Sequence, residues 1–170
     1  MKKAAGSASF LLAVALTLTL GSCSTVRSTV PDARPSNISL AEARAESETT
    51  ARRIARVVPG YADDLFSVNE RGSTLGCGEI GVSWTIAFHV GVDASPDMDA
   101  LFDALVLEFA DELEYFVEAI KASTGDPRII VTGPGGQSYM VEWFMGELDI
   151  DSASRCFVLV PERDGYQWEL

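Results

Sequence analysis

The side chains best suited to covalent or metal chemistry are few in this sequence: three cysteines, Cys23, Cys77 and Cys156, and a single histidine, His89. Neither a G-x-S-x-G nor an H-E-x-x-H motif is present, and a Ser-His-Asp triad could form only around His89. The cysteines lack the C-x-x-C spacing of redox and zinc sites. We therefore predict no catalytic residues, no metal site and no cofactor.

Paired carboxylates are the catalytic arrangement that this inventory leaves open. Glycosidases use two acids about 5 to 9.5 Å apart, and residues 57–170 contain 21 acidic residues. A catalytic pair would also lie in a pocket, with the pKa of one member raised by burial. We expect the acids to lie mostly on exposed helix and loop surfaces. A carboxylate-dependent hydrolase of the cell envelope is the alternative to a binding function.

The amino terminus has the form of an export signal. Lys2 and Lys3 precede an apolar run of 11 residues, Phe10 to Leu20, whereas a transmembrane helix needs roughly 20 apolar residues. The sequence Leu20-Gly21-Ser22-Cys23 resembles the lipobox of bacterial lipoproteins. That resemblance implies a signal peptide at residues 1–22, cleavage before Cys23 and diacylglycerol on the Cys23 sulfur. Ordinary cleavage after Ser24 is the alternative.

The lipid on Cys23 would determine where the protein resides. One acyl chain holds a protein to a membrane only marginally, whereas two chains hold it stably. We therefore expect the protein on the outer face of the cell membrane, with the membrane as a partner through Cys23. Residues 23–38 are rich in Ser, Thr and Pro and are predicted to be a tether.

The two remaining cysteines are predicted to pair with each other. With Cys23 committed to lipid, an oxidising compartment allows one pairing, Cys77 with Cys156. The rival interpretations, a metal site or a catalytic thiol, have no support from a C-x-x-C motif or from further histidines. A disulfide is therefore expected.

Charge is unevenly distributed along the chain. Residues 24–56 carry six arginines and four acidic residues, whereas residues 57–170 carry four arginines and one lysine against 21 acidic residues. Nucleic acid is excluded as a partner because its phosphates are bound by Lys and Arg. The acidic surface is expected to serve solubility, and a cation or a basic partner is the alternative.

The spacing of apolar residues predicts two helices. The first begins at Ser39 with the capping box "SLAE" and ends at residues 59–60, which are Pro and Gly. The second is expected to be capped by Ser95, and its apolar stripe extends to Ile120.

Alternating side chains predict the strands. The segment "VSWTIAFHV" alternates strictly, which indicates a strand with one buried face. A glycine-rich turn is predicted at 71–78 and a hairpin turn at 134–136. Strands are expected at 65–70, 82–90, 128–133, 137–146 and 155–160, with a short final strand at 165–170.

This order of elements, α-β-β-α-β-β-β, predicts an α+β fold. We expect an antiparallel sheet of about five strands with two helices packed on one face. Residues 39–170 are expected to form a single domain, because the chain without residues 1–22 has 148 residues, the usual size of one domain.

The combined pattern resembles the LppA-type lipoproteins of mycobacteria and their actinobacterial relatives. The residues that carry the resemblance are the lipobox, the helix ending "ARRIARVVPG", Cys77 after a loop, the turn "TGPGGQSYMVEW" and the segment "LDIDSASRCFVL". The resemblance covers most of residues 45–160 in order and spacing. It implies a secreted lipoprotein with no established activity.

A binding function agrees best with these observations. A sheet covered on one face leaves its other face available, and Ser83, Thr85, Ala87 and His89 fall on the polar side of the alternating strand. These small or polar side chains could form the floor of a shallow groove, with Met140 and Phe144 adding apolar contacts. The partner would be an envelope protein or a small ligand. A structural accessory subunit of an envelope complex is a further alternative.

Overall fold

The computed structural model describes residues 35–167. The predicted signal peptide (1–22), the anchor residue Cys23 and all but the end of the tether (23–38) lie outside this range. Within it, no helix is long and apolar enough to cross a membrane.

The described residues form three helices and seven strands. In chain order these are α1 (Leu40–Arg56), β1 (Phe66–Val68), β2 (Ser73–Cys77), β3 (Gly81–Val90), α2 (Met98–Glu108), β4 (Phe116–Lys121), β5 (Pro127–Thr132), β6 (Ser138–Phe144), β7 (Glu147–Ala153) and α3 (Pro161–Asp164).

All seven strands belong to one antiparallel sheet with the order β1-β3-β7-β6-β5-β4, and β2 also pairs with β3. The strands β1 and β2 follow each other along the same edge of β3, because β1 pairs with residues 88–90 and β2 with residues 81–85. Residues 69–72 therefore bulge out of this edge. The predicted α+β class is confirmed, with seven strands instead of about five.

Both long helices cover the same face of the sheet. Helix α1 packs against β3 and β7, whereas α2 packs against β4 and β5. Alternation directs Trp84, Phe88 and Val90 of β3 to this face, where all three are buried. The predicted packing of two helices on one face is confirmed. The largest fully buried side chains are Tyr139, Phe88, Phe157, Ile54, Leu101, Leu105, Ile129, Leu148, Ile150, Val90, Val131 and Val141.

Helix α1 begins where its capping box places it. The Ser39 hydroxyl accepts a hydrogen bond from the Glu42 N–H, and the Glu42 carboxylate accepts one from the Ser39 N–H. The helix then buries Ala43, Ala51 and Ile54 against the sheet. Local sequence and packing therefore favour the same start and the same face.

The prediction for the second helix was wrong at both ends. Asp97 caps α2 in place of Ser95, because its carboxylate accepts hydrogen bonds from the N–H groups of Asp99 and Ala100. The helix ends at Glu108, and the second half of the predicted stripe becomes strand β4, paired with β5. Helical spacing and strand alternation coincide over so short a segment, and pairing with β5 decides between them.

Three strand predictions also need correction. The predicted glycine-rich turn contains strand β2. The strand expected at 155–160 meets the sheet only through an isolated bridge between Phe157 and Val82, and the strand of this region is β7. Residues 165–167 form no strand, while 168–170 lie outside the described range. Strand β7 follows a turn at Met145 and Gly146, both with positive φ, which reverses the chain after β6.

Asp164 joins the carboxyl-terminal segment to the start of α1. Its carboxylate accepts hydrogen bonds from the N–H groups of Leu40 and Val160, each at 2.9 Å, and pairs with Arg163 at 2.8 Å. The side chain is 1% exposed. Hydrogen bonding to Arg163 and to the two N–H groups lowers the pKa of Asp164 from 3.8 to about 2.

Replacing Asp164 with Asn should lower the free energy of unfolding by about 2 kcal/mol at neutral pH, because the pKa of this carboxyl is depressed in the folded state. This contribution is complete above the unfolded pKa of 3.8 and is lost as the pH falls towards about 2. Urea unfolding at several pH values measures the difference. The matched control is Glu162→Gln, an exposed neighbour, and an equal loss in both variants at neutral pH would contradict the assignment.

Candidate functional site

The face of the sheet opposite the helices is the candidate functional site, and we call it the open face. Strand alternation places residues 85, 87 and 89 of β3 on this face, and register continues it into β7 and β6. Across the sheet, Ala87 lies opposite Asp151, which lies opposite Met140. The open face is therefore built from rigid strands that fix the spacing of its side chains.

A shallow groove of about 560 Å³ lies on the open face. Strands β3, β6 and β7 form its floor, and the bulge at 69–72 together with the start of β2 forms its wall. Most floor side chains are small, which leaves room above the sheet. The floor residues are Thr85, Ala87, Ser138, Met140, Asp151 and Ala153, and the wall residues are Asn69, Arg71, Gly72 and Ser73.

Close packing against a buried tryptophan holds the groove wall in place. A Cβ atom on Gly72 would lie 2.0 Å from Cζ2 of Trp84, so only glycine fits at this position. The Asn69 N–H donates to the carbonyl of Ala87 at 3.0 Å, and the Asn69 side chain accepts from the Arg71 N–H at 3.2 Å. These contacts fix the bulge beside the groove and place Arg71 at its rim.

The groove contains a positively charged side chain, a carboxyl group and several hydroxyl groups. Arg71 forms no ion pair with any other residue in the described range. Asp151 is exposed, and partial desolvation together with the charges of Asp149 and Glu142 raises the pKa of its carboxyl. The hydroxyl oxygens of Ser73 and Thr85 lie 2.8 Å apart. A polar ligand with both donors and acceptors suits these groups.

Beside the groove, ionisable side chains pair across neighbouring strands. His89 Nδ1 lies 2.7 Å from Asp149 Oδ1 and 3.9 Å from Glu147 Oε2. Arg128 likewise pairs with Glu142, which lies opposite Asp149 on β6. Glu142 and Asp149 are the two acids whose charges raise the pKa of Asp151. Both thus already have side-chain partners.

His89, Glu147 and Asp149 can also be considered as metal ligands, although the sequence predicts no metal site. Each offers one ligand atom, and these atoms lie within 4.8 Å of one another. One imidazole and two carboxylates are a donor set that divalent transition metals accept. Sheet register is enough to bring the residues together, however, because His89 lies opposite Asp149. We therefore describe this group as a cross-strand hydrogen-bonded pair, His89 and Asp149, with a neighbouring carboxylate.

The residues predicted for the binding face occupy different parts of it. Thr85 and Ala87 form part of the groove floor, and Met140 joins them from β6. Ser83 lies opposite Leu75 of β2, outside the groove lining. His89 lies beside the groove, opposite Asp149 of β7, and Phe144 is exposed at the end of β6.

Sequence reasoning missed the residues that form the groove wall and the acidic residue on its floor. The sequence pattern places Asn69 at the end of a strand and Arg71 and Gly72 in a turn, and it predicts no strand at Asp151. The β-bulge has no signal in the sequence beyond the glycine of "RGS". Placing Asp151 needed the register of β7 against β3.

Away from the groove, the structure brings Cys77 and Cys156 to disulfide distance. The sulfurs of Cys77 and Cys156 are 2.14 Å apart, with 79 residues of sequence separation. The pair links the end of β2 to the segment that follows β7. Cys23, the predicted lipid site, lies outside the described residues.

No known protein family and no curated protein matches this chain. Among solved structures, a crystal structure of a candidate lipoprotein, LppA from Mycobacterium tuberculosis, is similar to it, with a TM-score of 0.48 and 14% sequence identity. The similarity covers 70% of this chain and 75% of that chain. A likeness this distant supports no conclusion about family or function.

Proposed function

We propose that this protein is a lipid-anchored lipoprotein on the outer face of the cell membrane, and that its domain acts by binding an envelope protein or a small ligand in the open-face groove. The observation that carries the binding proposal is the groove, with Arg71 at its rim, Asp151 on its floor and small side chains between them. The observation that supports the anchor is the lipobox at residues 20–23. The tether would let the domain meet partners away from the lipid surface.

The chemistry of the groove indicates what kind of surface it would accept. Arg71 has no ion pair within residues 35–167, and Asp151 is exposed. Together they favour a polar ligand or peptide loop with one positive and one negative group, because such a partner can pair with each of them. Ala87, Ala153 and Met140 add apolar area between the polar groups. Binding sites typically combine an apolar lining with a few polar groups that orient the ligand.

A carboxylate-dependent hydrolase is the second candidate, because Asp151 lies in the groove and its carboxyl has a raised pKa. A general acid needs such a pKa, and it also needs a second carboxylate free to act as base or nucleophile. Glu142 is paired with Arg128 and Asp149 with His89. Because both carboxylates already have side-chain partners, we favour binding over hydrolysis.

Filling the groove tests the binding proposal. We expect Ala87→Trp to remove the bound partner from protein extracted gently from membranes, because the indole would occupy the space above the strand. Native mass spectrometry of the extracted protein measures the complex, and the matched control is Ala45→Trp, on an exposed position of α1.

Three further observations complete this test. Circular dichroism must show that both tryptophan variants are folded. Equal retention of the partner by Ala87→Trp and Ala45→Trp would contradict groove binding. Hydrolysis of envelope glycans by the wild-type protein that is lost in Asp151→Asn would establish the hydrolase instead.

A further inference from the structure

Strand β4 is the last strand of the sheet, so one of its edges has no neighbouring strand in the described part of the chain. Five of its six residues are exposed, among them Phe116 and Ile120. An edge strand with apolar, exposed side chains can accept a further strand, which is why many proteins protect such edges. This edge lies three strands away from β7, whereas the groove wall lies at the other edge of the sheet.

The register identifies which main-chain groups face the free edge. The Ala122 N–H donates to the Asp126 carbonyl, and the Gly133 N–H donates to the Gln137 carbonyl. Hydrogen bonding alternates along an antiparallel pair, so residues 116, 118 and 120 bond to β5. The N–H and C=O groups of Val117, Ala119 and Lys121 consequently point away from the sheet. They form a row that an added strand could bond.

The side chains along this edge specify an incoming strand. On the open face, Phe116 and Ile120 flank Glu118, which forms no ion pair with another described residue. An apolar cavity of about 300 Å³ lies beside the start of β4 and is lined partly by Leu113, which is 93% exposed. Directly opposite residues of neighbouring strands interact most strongly. An incoming strand would therefore match this edge if it had a basic residue opposite Glu118 and an apolar residue two positions to either side.

A second copy of this chain does not match it. Antiparallel pairing of two β4 edges centred on Glu118 would place the two carboxylates opposite each other, which is destabilising. Pairing centred on Ala119 would place each Glu118 opposite Ile120, a carboxylate against an apolar side chain. A foreign strand with a basic residue opposite Glu118 has neither cost.

We propose that the β4 edge binds an extended segment of another protein, which adds to the sheet as an antiparallel strand. A Lys or Arg of that segment lies opposite Glu118, apolar residues lie opposite Phe116 and Ile120, and an apolar side chain enters the cavity beside Leu113. This mode of recognition takes its affinity from main-chain hydrogen bonds and its selectivity from alternate side chains. It is separate from groove binding, and either can hold without the other.

A synthetic peptide tests the proposal on the mature lipidated protein in detergent micelles. The probe is a short fluorescein-labelled peptide with a central lysine, a valine two residues to either side and threonine between them. Fluorescence anisotropy measures its binding. We expect Glu118→Lys to weaken binding about fivefold, and a peptide with a central glutamate to recover that loss. Glu79→Lys, the same charge change on an exposed turn residue, should leave affinity within about twofold.

A proline at position 119 tests the main-chain contacts. The Ala119 N–H faces the free edge, so Ala119→Pro removes a donor to the added strand without removing a bond to β5. We expect this variant to stay folded by circular dichroism and to lose peptide binding. Equal weakening by Glu118→Lys and Glu79→Lys, full binding by the folded proline variant, or sedimentation of the wild-type protein as a dimer that Glu118→Lys dissociates would overturn the proposal.

Discussion

Replacing both Cys77 and Cys156 with Ala is expected to lower the free energy of unfolding by about 4 kcal/mol. The two cysteines are 79 residues apart in sequence, and a crosslink that closes so long a loop removes much of the conformational entropy of the unfolded chain. Cys156 is buried next to Phe157, which packs against Trp84 of β3 and Leu40 of α1, so the loss would loosen the packing of the carboxyl-terminal segment on β3. Urea unfolding followed by circular dichroism measures the difference.

The wild-type protein treated with reductant is the control for this prediction. It should unfold at the same urea concentration as the double variant, because both lack the crosslink. Mass spectrometry under non-reducing conditions should find no free thiol in the mature domain. Two alkylatable thiols in freshly secreted protein would refute the disulfide, whatever the unfolding curves show.

Replacing Cys23 with Ser is expected to abolish membrane anchoring. The diacylglycerol predicted for this residue needs a thiol to form its thioether, and a hydroxyl does not replace it. The variant should accumulate as an unprocessed precursor and should leave the detergent phase in phase-partitioning experiments. Two acyl chains on Cys23, as predicted, would hold the wild-type protein stably to the membrane, so the expected effect is nearly all or none.

Ser22→Ala is the matched control, because it keeps a small residue before the cysteine. This variant should be processed and anchored like the wild-type protein. Amino-terminal mass analysis separates the two modes of cleavage: a lipidated Cys23 or an unmodified Thr25 at the mature terminus. A mature Cys23→Ser protein with unchanged membrane affinity would show that the anchor assignment is wrong.

Local signals predicted the parts of the fold that local physics determines. The reciprocal hydrogen bonds of Ser39 and Glu42 begin α1 without help from the rest of the chain. Strict alternation over β3 revealed its buried face, since helices cover one side of the sheet and solvent the other. Both features depend on residues within a few positions of one another.

Features that depend on distant pairing were not predicted. Phe116 and Ile120 continue the apolar stripe of α2 at helical spacing, yet residues four apart also share one face of a strand. Pairing with β5 selects the strand. The two side chains remain exposed there, so burial could not have given the signal that a sequence pattern usually reports.

For the candidate site, too, the sequence predicts the local feature, which is the face of the strand, but not the groove. The face that carries Ser83, Thr85 and His89 follows from the period of a strand. The groove itself depends on which strands lie beside β3, and one sequence does not give strand order. Arg71 reaches the rim only because residues 69–72 bulge over Trp84, and Asp151 reaches the floor only through the register of β7.

Site-specific photocrosslinking on intact cells tests the central claim, binding through the open-face groove, most directly. A photoreactive phenylalanine analogue at Ala87 should give one discrete adduct, because this residue lies on the groove floor. The same analogue at Ala45, on the exposed side of α1, should give none. Adducts of equal yield from both positions, or the absence of any adduct from Ala87 in a folded and anchored protein, would contradict the account.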